Sequence, residues 1–298
     1  MLCVVFRDRI SLWSLASGGM PLTLVFSLYC GVEPVLTEQG CAAMQRQLRF
    51  VLVLWMAAAV VLLGVLEAGG WRAGAASMVI TPQQPMPMAG YASRGAKHAE
   101  GTLTELYAKA LVLEDSEEHR ALLVTLDLVG LERHLATDIC TMLQAEFGLD
   151  RAEIALCCSH THTGPVVAKN LRPMHYLMLD ETDRELVDEY AAFLKKQIRE
   201  AVSEAMSTLT AADVSCGAGR ATFAVNRREN READVPGLRE TAELKGPIDH
   251  AVPVLAVRRS GELTAVVFGY ACHCTVLSSF EWSGDYAGFA QAAVEQEH

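Results

Sequence analysis

The chain has 298 residues, of which 51% are hydrophobic, and it carries a formal net charge of -11 at pH 7. This length and composition allow a sizeable core in one large domain or two small ones. The negative charge argues against a nucleic-acid partner, because such a surface needs a basic stripe. Nine cysteines occur without any C-x-x-C pair, which argues against a cysteine-only zinc site.

The first part of the chain has the pattern of an export signal. Residues 1–43 show no clean periodicity and form an upstream segment of uncertain structure, which translation from Met44 would leave out. Residues 44–76 start with a basic region that contains Arg46 and Arg49, followed by an apolar run and small residues, the order of parts in a secretory signal peptide, with cleavage near Ala75 or Ala76. The run is also long enough for a spanning helix, so an uncleaved signal anchor is the alternative. We therefore expect a mature part that is secreted, periplasmic or anchored to a membrane by this N-terminal hydrophobic segment, facing outward.

Residues 77–298 alternate between strand-like and helical patterns, which indicates an α/β fold with helices packed on a mixed β-sheet. Thr182 and Glu185 form a capping box at the start of the longest predicted helix. Residues 229–248 have the polar, proline-containing composition of a long surface loop. A last helix reaches the end of the sequence without a stop signal, so the domain is expected to be incomplete at its C-terminus. The predicted strands are 106–114, 121–128, 153–158, 221–225, 251–257 and 263–270, and the predicted complete helices are 134–147 and 182–209.

The stretch that suggests chemistry most directly follows the predicted strand 153–158 and reads Ser159-His160-Thr161-His162-Thr163-Gly164-Pro165. Side chains alternate along an extended chain, so His160 and His162 are expected on the same face. Two adjacent imidazoles can hold a metal ion, or can combine one ligand with one acid–base group. The alternative is a pair of partly exposed histidines in a polar loop, because so short a motif is weak by itself.

Three patterns occur in order along the chain: Met88-Ala89-Gly90-Tyr91, the H-T-H-T-G-P block at 160–165, and His273 followed by the segment 285–290. Asn226-Arg227 lies between the last two. Together they resemble the N-terminal catalytic domain of the neutral/alkaline non-lysosomal ceramidase family. The resemblance covers about residues 78–298, and the H-T-H-T-G-P block is its most specific part.

The resemblance implies a zinc amidase that cleaves the N-acyl bond of ceramide to give sphingosine and a fatty acid. It assigns His160 and His273 as zinc ligands, His162 as a neighbour that contacts the water or the tetrahedral intermediate, and Arg227 as a side chain that reaches the site. The family completes its zinc with a glutamate and a tyrosine from much further along the chain, beyond the end of this sequence. The family's serine near the scissile amide falls on Gly284, so Ser283, one residue earlier, is a candidate for that role.

A third zinc donor from within this chain would be a carboxylate. Asp127, at the end of the predicted strand 121–128, and Asp285, close after His273, are the best placed. Alternatively, Asp127 caps a turn, Asp285 N-caps the last helix and Arg227 pairs with a surface carboxylate. Cys272 and Cys274 are expected in the core. The histidines without motif support are expected on the surface, namely His98, His119, His134, His175 and His250.

These patterns predict a ceramidase-like zinc hydrolase that acts on an amide bond, with a lipid amide or another small amide as substrate. The alternative is a truncated, non-catalytic relative that binds a metal or a lipid. A serine hydrolase is disfavoured, because no G-x-S-x-G motif occurs.

Overall fold

The computed structural model describes residues 2–6 and 70–298. The apolar run of the predicted signal segment and nearly all of the predicted upstream segment lie outside these residues, so both assignments stay predictions. Within the described residues, no helix combines the length and the hydrophobicity needed to cross a bilayer.

The described residues form a mixed sheet with helices packed on it, as predicted. Eight strands lie in the order β1-β9-β8-β7-β2-β4-β5-β6, and a separate two-stranded sheet pairs β3 with β10. Neighbours in the large sheet are antiparallel except β5 and β6, which are parallel. The strands are β1 (Leu2–Phe6), β2 (Trp71–Val79), β3 (Gly101–Thr102), β4 (Tyr107–Glu114), β5 (Arg120–Leu126), β6 (Ile154–Cys158), β7 (Thr210–Arg220), β8 (Ala251–Arg259), β9 (Glu262–Gly269) and β10 (Glu281–Trp282).

Four α-helices complete the described domain: α1 (Arg133–Phe147), α2 (Glu181–Ser207), α3 (Val235–Glu240) and α4 (Asp285–Glu297). The apolar face of α2 packs across β2 and β4 and contributes Leu194, Ile198 and Val202 to the main core. Helix α2 begins two residues earlier than the predicted capping box, whose N-cap would be Thr182. Its N-cap is Asp180, whose side chain accepts a hydrogen bond from the Asp183 amide at 2.9 Å.

Strand β2 lies between β4 and β7, and its small residues let helix α2 approach closely. A Cβ atom built on Gly74 would lie 1.9 Å from the carbonyl oxygen of Ala205 in α2. Strand β2 therefore starts before Ser77, the position at which the signal-like pattern predicts the start of the domain. Cleavage after Ala75 or Ala76 would remove most of this strand.

Replacement of Gly74 by alanine is expected to destabilise the domain by about 3 kcal/mol, because the added methyl group must displace the backbone of α2. Gly217→Ala is the matched control. It also places a methyl group in a strand, but no heavy atom lies within 4 Å of that position. The control is expected to be neutral or to stabilise by about 0.5 kcal/mol. Urea denaturation of both variants measures the difference, and similar midpoints would contradict the close packing.

Three further elements differ from the sequence-based expectations. The predicted strand 221–225 is wrong, since β7 ends at Arg220 and the chain then continues without regular structure. Strand β7 has mostly exposed side chains and many small residues, so it lacks the apolar run that marks a buried strand. The predicted loop 229–248 contains the short helix α3. Strand β1, which was not predicted, pairs with β9 at the edge of the sheet.

Candidate metal centre

The H-T-H block (residues 160–165) follows β6 at its carboxyl end, as predicted. It is not a simple continuation of the strand, because His160 has a positive φ of 63°. The amide of His160 donates to the carbonyl of Leu128 at 3.0 Å. The hydroxyls of Thr161 and Thr163 donate to the carbonyl of Ser283 at 2.9 and 2.8 Å. These bonds hold the block against both the end of β5 and the start of α4. The side chains of His160 and His162 therefore project from a turn that is anchored on both sides.

Three imidazoles converge at this turn: His160, His162 and His273. The Nε2 atom of His162 lies 3.4 Å from Nε2 of His160 and 3.1 Å from Nε2 of His273. The rings of His160 and His273 stack with their centroids 4.7 Å apart. One donor nitrogen from each residue lies within 4.8 Å of the other two. His162 is buried at the base of the cluster and the other two are exposed, so the cluster has one open side.

The environment keeps the cluster suited to binding a cation. The Nδ1 atom of His160 lies 2.5 Å from the carbonyl oxygen of Val129, which can only accept a hydrogen bond. In the neutral ring Nδ1 therefore carries the proton, and the lone pair is on Nε2, which faces the cluster. Burial, followed by the neighbouring imidazoles, lowers the pKa of His162 to about 4. Burial and then His160 also lower the pKa of His273. His162 and His273 are therefore neutral at neutral pH.

Asp285 supports the cluster without joining it. It is fully buried, and its carboxylate accepts hydrogen bonds from the amides of Val276 at 3.2 Å, Leu277 at 2.8 Å and Tyr286 at 2.6 Å. Two of these donors lie in the segment that follows His273. Asp285 is the first residue of α4, whose N-cap is Gly284, so it is not the N-cap that was considered.

Asp127 contacts helix α4 and is not in the group formed by the three imidazoles. Its carboxylate accepts a hydrogen bond from the Tyr107 amide at 3.1 Å and lies 3.5 Å from the side-chain nitrogen of Gln291. Burial raises the pKa of Asp127. The structure does not bring it into the group of residues that could share an ion, so the geometry does not support the predicted role as third ligand.

Ser283 is fully buried, and its hydroxyl lies 2.7 Å from the Thr163 hydroxyl. It joins the H-T-H block to α4 rather than facing the open side of the cluster. The neighbouring Gly284, where the resemblance places a serine, has no room for a side chain, because a Cβ there would lie 2.8 Å from Cα of Gly288. The geometry therefore favours a structural role for Ser283 over a catalytic one.

Arg227 pairs with Glu232 at 2.8 Å and has a half-exposed side chain. This is the surface pairing that was considered as an alternative, and none of its described contacts reaches the imidazoles. The positive charge of Arg228, the next residue, contributes to lowering the pKa of His273. The loop that carries both arginines thus lies near the cluster, but the structure does not place the Arg227 guanidinium in it.

The sequence reasoning missed His175 in the site region and did not explain Gly90, although a quoted pattern contains it. His175, expected on the surface, is 2% exposed, and its Nε2 accepts a hydrogen bond from the Gly90 amide at 3.0 Å. Gly90 has a φ of +100°, and a Cβ on it would lie 2.4 Å from Cγ of His162. The Met88-Ala89-Gly90-Tyr91 pattern marked this position, because glycine is the residue that tolerates both conditions. Nothing local in the sequence marks His175.

Fold and site together define an α/β protein with a candidate metal centre made of three imidazoles. A family model described as "Neutral/alkaline non-lysosomal ceramidase, N-terminal" matches residues 71–298. The chain therefore belongs to the neutral/alkaline non-lysosomal ceramidase family. The match begins at Trp71, the first residue of β2.

Two solved structures share the fold. "Ceramidase complexed with C2" is 23% identical with a TM-score of 0.58, and the match covers 75% of this chain and 34% of that chain. Neutral ceramidase from Pseudomonas aeruginosa is 24% identical with a TM-score of 0.58, and the match covers 75% and 35%. The matched region thus spans about a third of the length of these chains. No curated protein matches the sequence.

Proposed function

We propose that this chain carries part of the active centre of a zinc-dependent hydrolase that cleaves an amide bond in ceramide or a related lipid amide. Family membership supports the reaction class. The observation that carries the proposal is the convergence of three imidazoles from two distant parts of the chain on one open point.

The donor set fits zinc. Zinc binds imidazole nitrogen at about 2.0–2.1 Å in tetrahedral sites, so nitrogens sharing one ion lie about 3.3 Å apart. The donor nitrogens of His160 and His273, the proposed ligands, lie within 4.8 Å of each other, and Nε2 of His162 lies 3.4 and 3.1 Å from their Nε2 atoms. Imidazole also suits several other divalent transition metals, and zinc is proposed because its catalytic sites pair nitrogen donors with an open position. When bound, zinc lowers the pKa of a bound water to about 7 and polarises a carbonyl.

The chain's own residues would act as follows. His160 and His273 hold the ion through Nε2, and His160 is oriented by its bond to Val129. His162, neutral and fixed between them, offers Nε2 for a hydrogen bond to the reacting amide or to the attacking water. Asp285 holds the segment after His273, so the second ligand keeps its place when substrate enters. Arg227 would join the site only by leaving Glu232.

Metal content and turnover test this proposal together. Purified wild-type chain is expected to hold close to one equivalent of zinc and to release fatty acid from a fluorescent N-acyl sphingosine. His160→Ala should lose both properties. His134→Ala, an exposed histidine at the start of α1, should keep both. Absence of stoichiometric metal from the wild type would overturn the metal centre. Metal without turnover would favour the metal- or lipid-binding alternative.

A further inference from the structure

Arg94 lies behind the three-imidazole cluster and is 8% exposed. Its Nη1 atom donates hydrogen bonds to the carbonyl oxygens of Ala89, at 3.0 Å, and His162. Its Nη2 atom donates to the carbonyl of Ser279 at 2.8 Å. One side chain therefore binds three chain segments: the turn containing Gly90, the H-T-H block, and the segment between His273 and α4.

The guanidinium is also held by aromatic rings. Its Cζ atom lies 4.7 Å from the centroid of Tyr91 and 5.5 Å from that of Phe280. The Tyr91 ring in turn meets the His162 ring edge-on, with centroids 4.7 Å apart. No carboxylate in the described part of the chain forms an ion pair with Arg94. Removing the Arg94 guanidinium from water costs free energy, and backbone carbonyls alone compensate for it only in part. Stability therefore does not explain an arginine at this position, which points to a further role.

We propose that Arg94 is a positioning residue, which fixes His162 and the segment after His273 so that His160 and His273 can share an ion with His162 beside it. This inference rests on the proposed function. Lysine cannot replace arginine in this role, because an ammonium is a compact charge, whereas the planar guanidinium directs several donors at fixed angles. Loss of an outer partner of a metal site typically lowers metal affinity by about 10–100-fold.

Arg259 provides a matched control. It is also a partly buried arginine whose guanidinium donates to two backbone carbonyls, those of Ala73 and Thr208, and burial lowers its pKa as it does for Arg94. It binds the end of β8 to β2 and to the end of α2 rather than any part of the cluster. A general loss of stability on replacing a buried arginine by lysine will therefore affect both variants, whereas a positioning effect will affect only Arg94→Lys.

The test measures Zn²⁺ affinity by competition with a chelator, and the Co²⁺ absorption spectrum, for wild type, Arg94→Lys and Arg259→Lys. Arg94→Lys is expected to lower Zn²⁺ affinity about 10–100-fold and to change the Co²⁺ spectrum, with Arg259→Lys like the wild type. Equal affinity in wild type and Arg94→Lys overturns the inference. If Arg94→Lys does not fold, Arg94→Gln replaces it, since a neutral side chain avoids desolvation of a charge.

Hydrogen exchange in the metal-free chain separates this inference from the proposed function. If the wild type binds no metal, the proposed function fails. Faster amide exchange in residues 160–166 and 273–282 of Arg94→Lys, without such a change in Arg259→Lys, would still support the positioning role. Unchanged exchange in those segments overturns it.

Discussion

Replacement of His273 by alanine is expected to lower Zn²⁺ affinity by about 100-fold, and replacement of His160 to do the same. Apparent binding energies of about 10–16 kcal/mol for four-ligand zinc sites correspond to about 3 kcal/mol per ligand, which is the size of this loss. His162→Ala is expected to affect affinity much less and turnover more. Its side chain would supply a hydrogen bond or a proton to the reacting groups, a contribution of about 10²–10⁴-fold in rate.

The measurement is chelator competition for affinity, together with single-turnover hydrolysis of a fluorescent N-acyl sphingosine at saturating zinc. Saturating metal separates weak binding from slow chemistry, because a variant that has only lost affinity recovers its rate. His134→Ala again serves as the unaffected control. If His162→Ala loses zinc as strongly as His273→Ala, then His162 is a third ligand and its assigned role is wrong. If none of the three variants loses affinity, the imidazoles do not share an ion.

The elements that the sequence predicted well are those with a strong local pattern. Strands β4 and β5, helix α1 and strand β6 lie close to their predicted positions, because each is an apolar run or a periodic face with a clear end. The H-T-H block could be placed for the same reason, since it follows a buried strand directly. That the block lies beside His273, more than a hundred residues later, was expected from the family resemblance and not from the spacing of the histidines in the sequence.

The errors share a physical cause, which is that small or polar residues acquire their roles only through distant partners. The glycine and alanines of β2 have the composition of a signal cleavage site, and only the approach of α2 explains them. His175 can be buried because its Nε2 atom accepts a hydrogen bond from the amide of Gly90, a residue far away in the sequence. From the sequence, Asp127 at the end of a strand and Asp285 close after His273 are equally good candidates for a third ligand. Their surroundings differ completely.

The different surroundings of Asp285 and Asp127 predict different effects of the same substitution. Asp285→Asn is expected to destabilise the domain by about 2–4 kcal/mol and to weaken Zn²⁺ binding. Both carboxylate oxygens of Asp285 accept backbone N–H groups. In asparagine an NH2 group would replace one oxygen, so that its donors would face a backbone N–H group. Hydrogen bonds to a charged group contribute about 1.5–3 kcal/mol each, which sets the size of the loss. The segment after His273 would then lose an anchor, and His273 would no longer be held beside His162.

Asp127→Asn is the matched variant, because it makes the same change at an equally buried carboxylate. Here one oxygen suffices for the Tyr107 amide, and the new amide group can donate to the side-chain oxygen of Gln291 once the Gln291 amide, whose nitrogen now faces Asp127, rotates by 180°. Removal of a charge whose burial is already unfavourable, as the raised pKa of Asp127 indicates, makes the substitution close to neutral for stability. Zn²⁺ affinity should be unchanged. Thermal unfolding and chelator competition on the two variants compare a carboxylate that orders the cluster with one that does not. A large loss of zinc in Asp127→Asn alone would instead make Asp127 the third ligand.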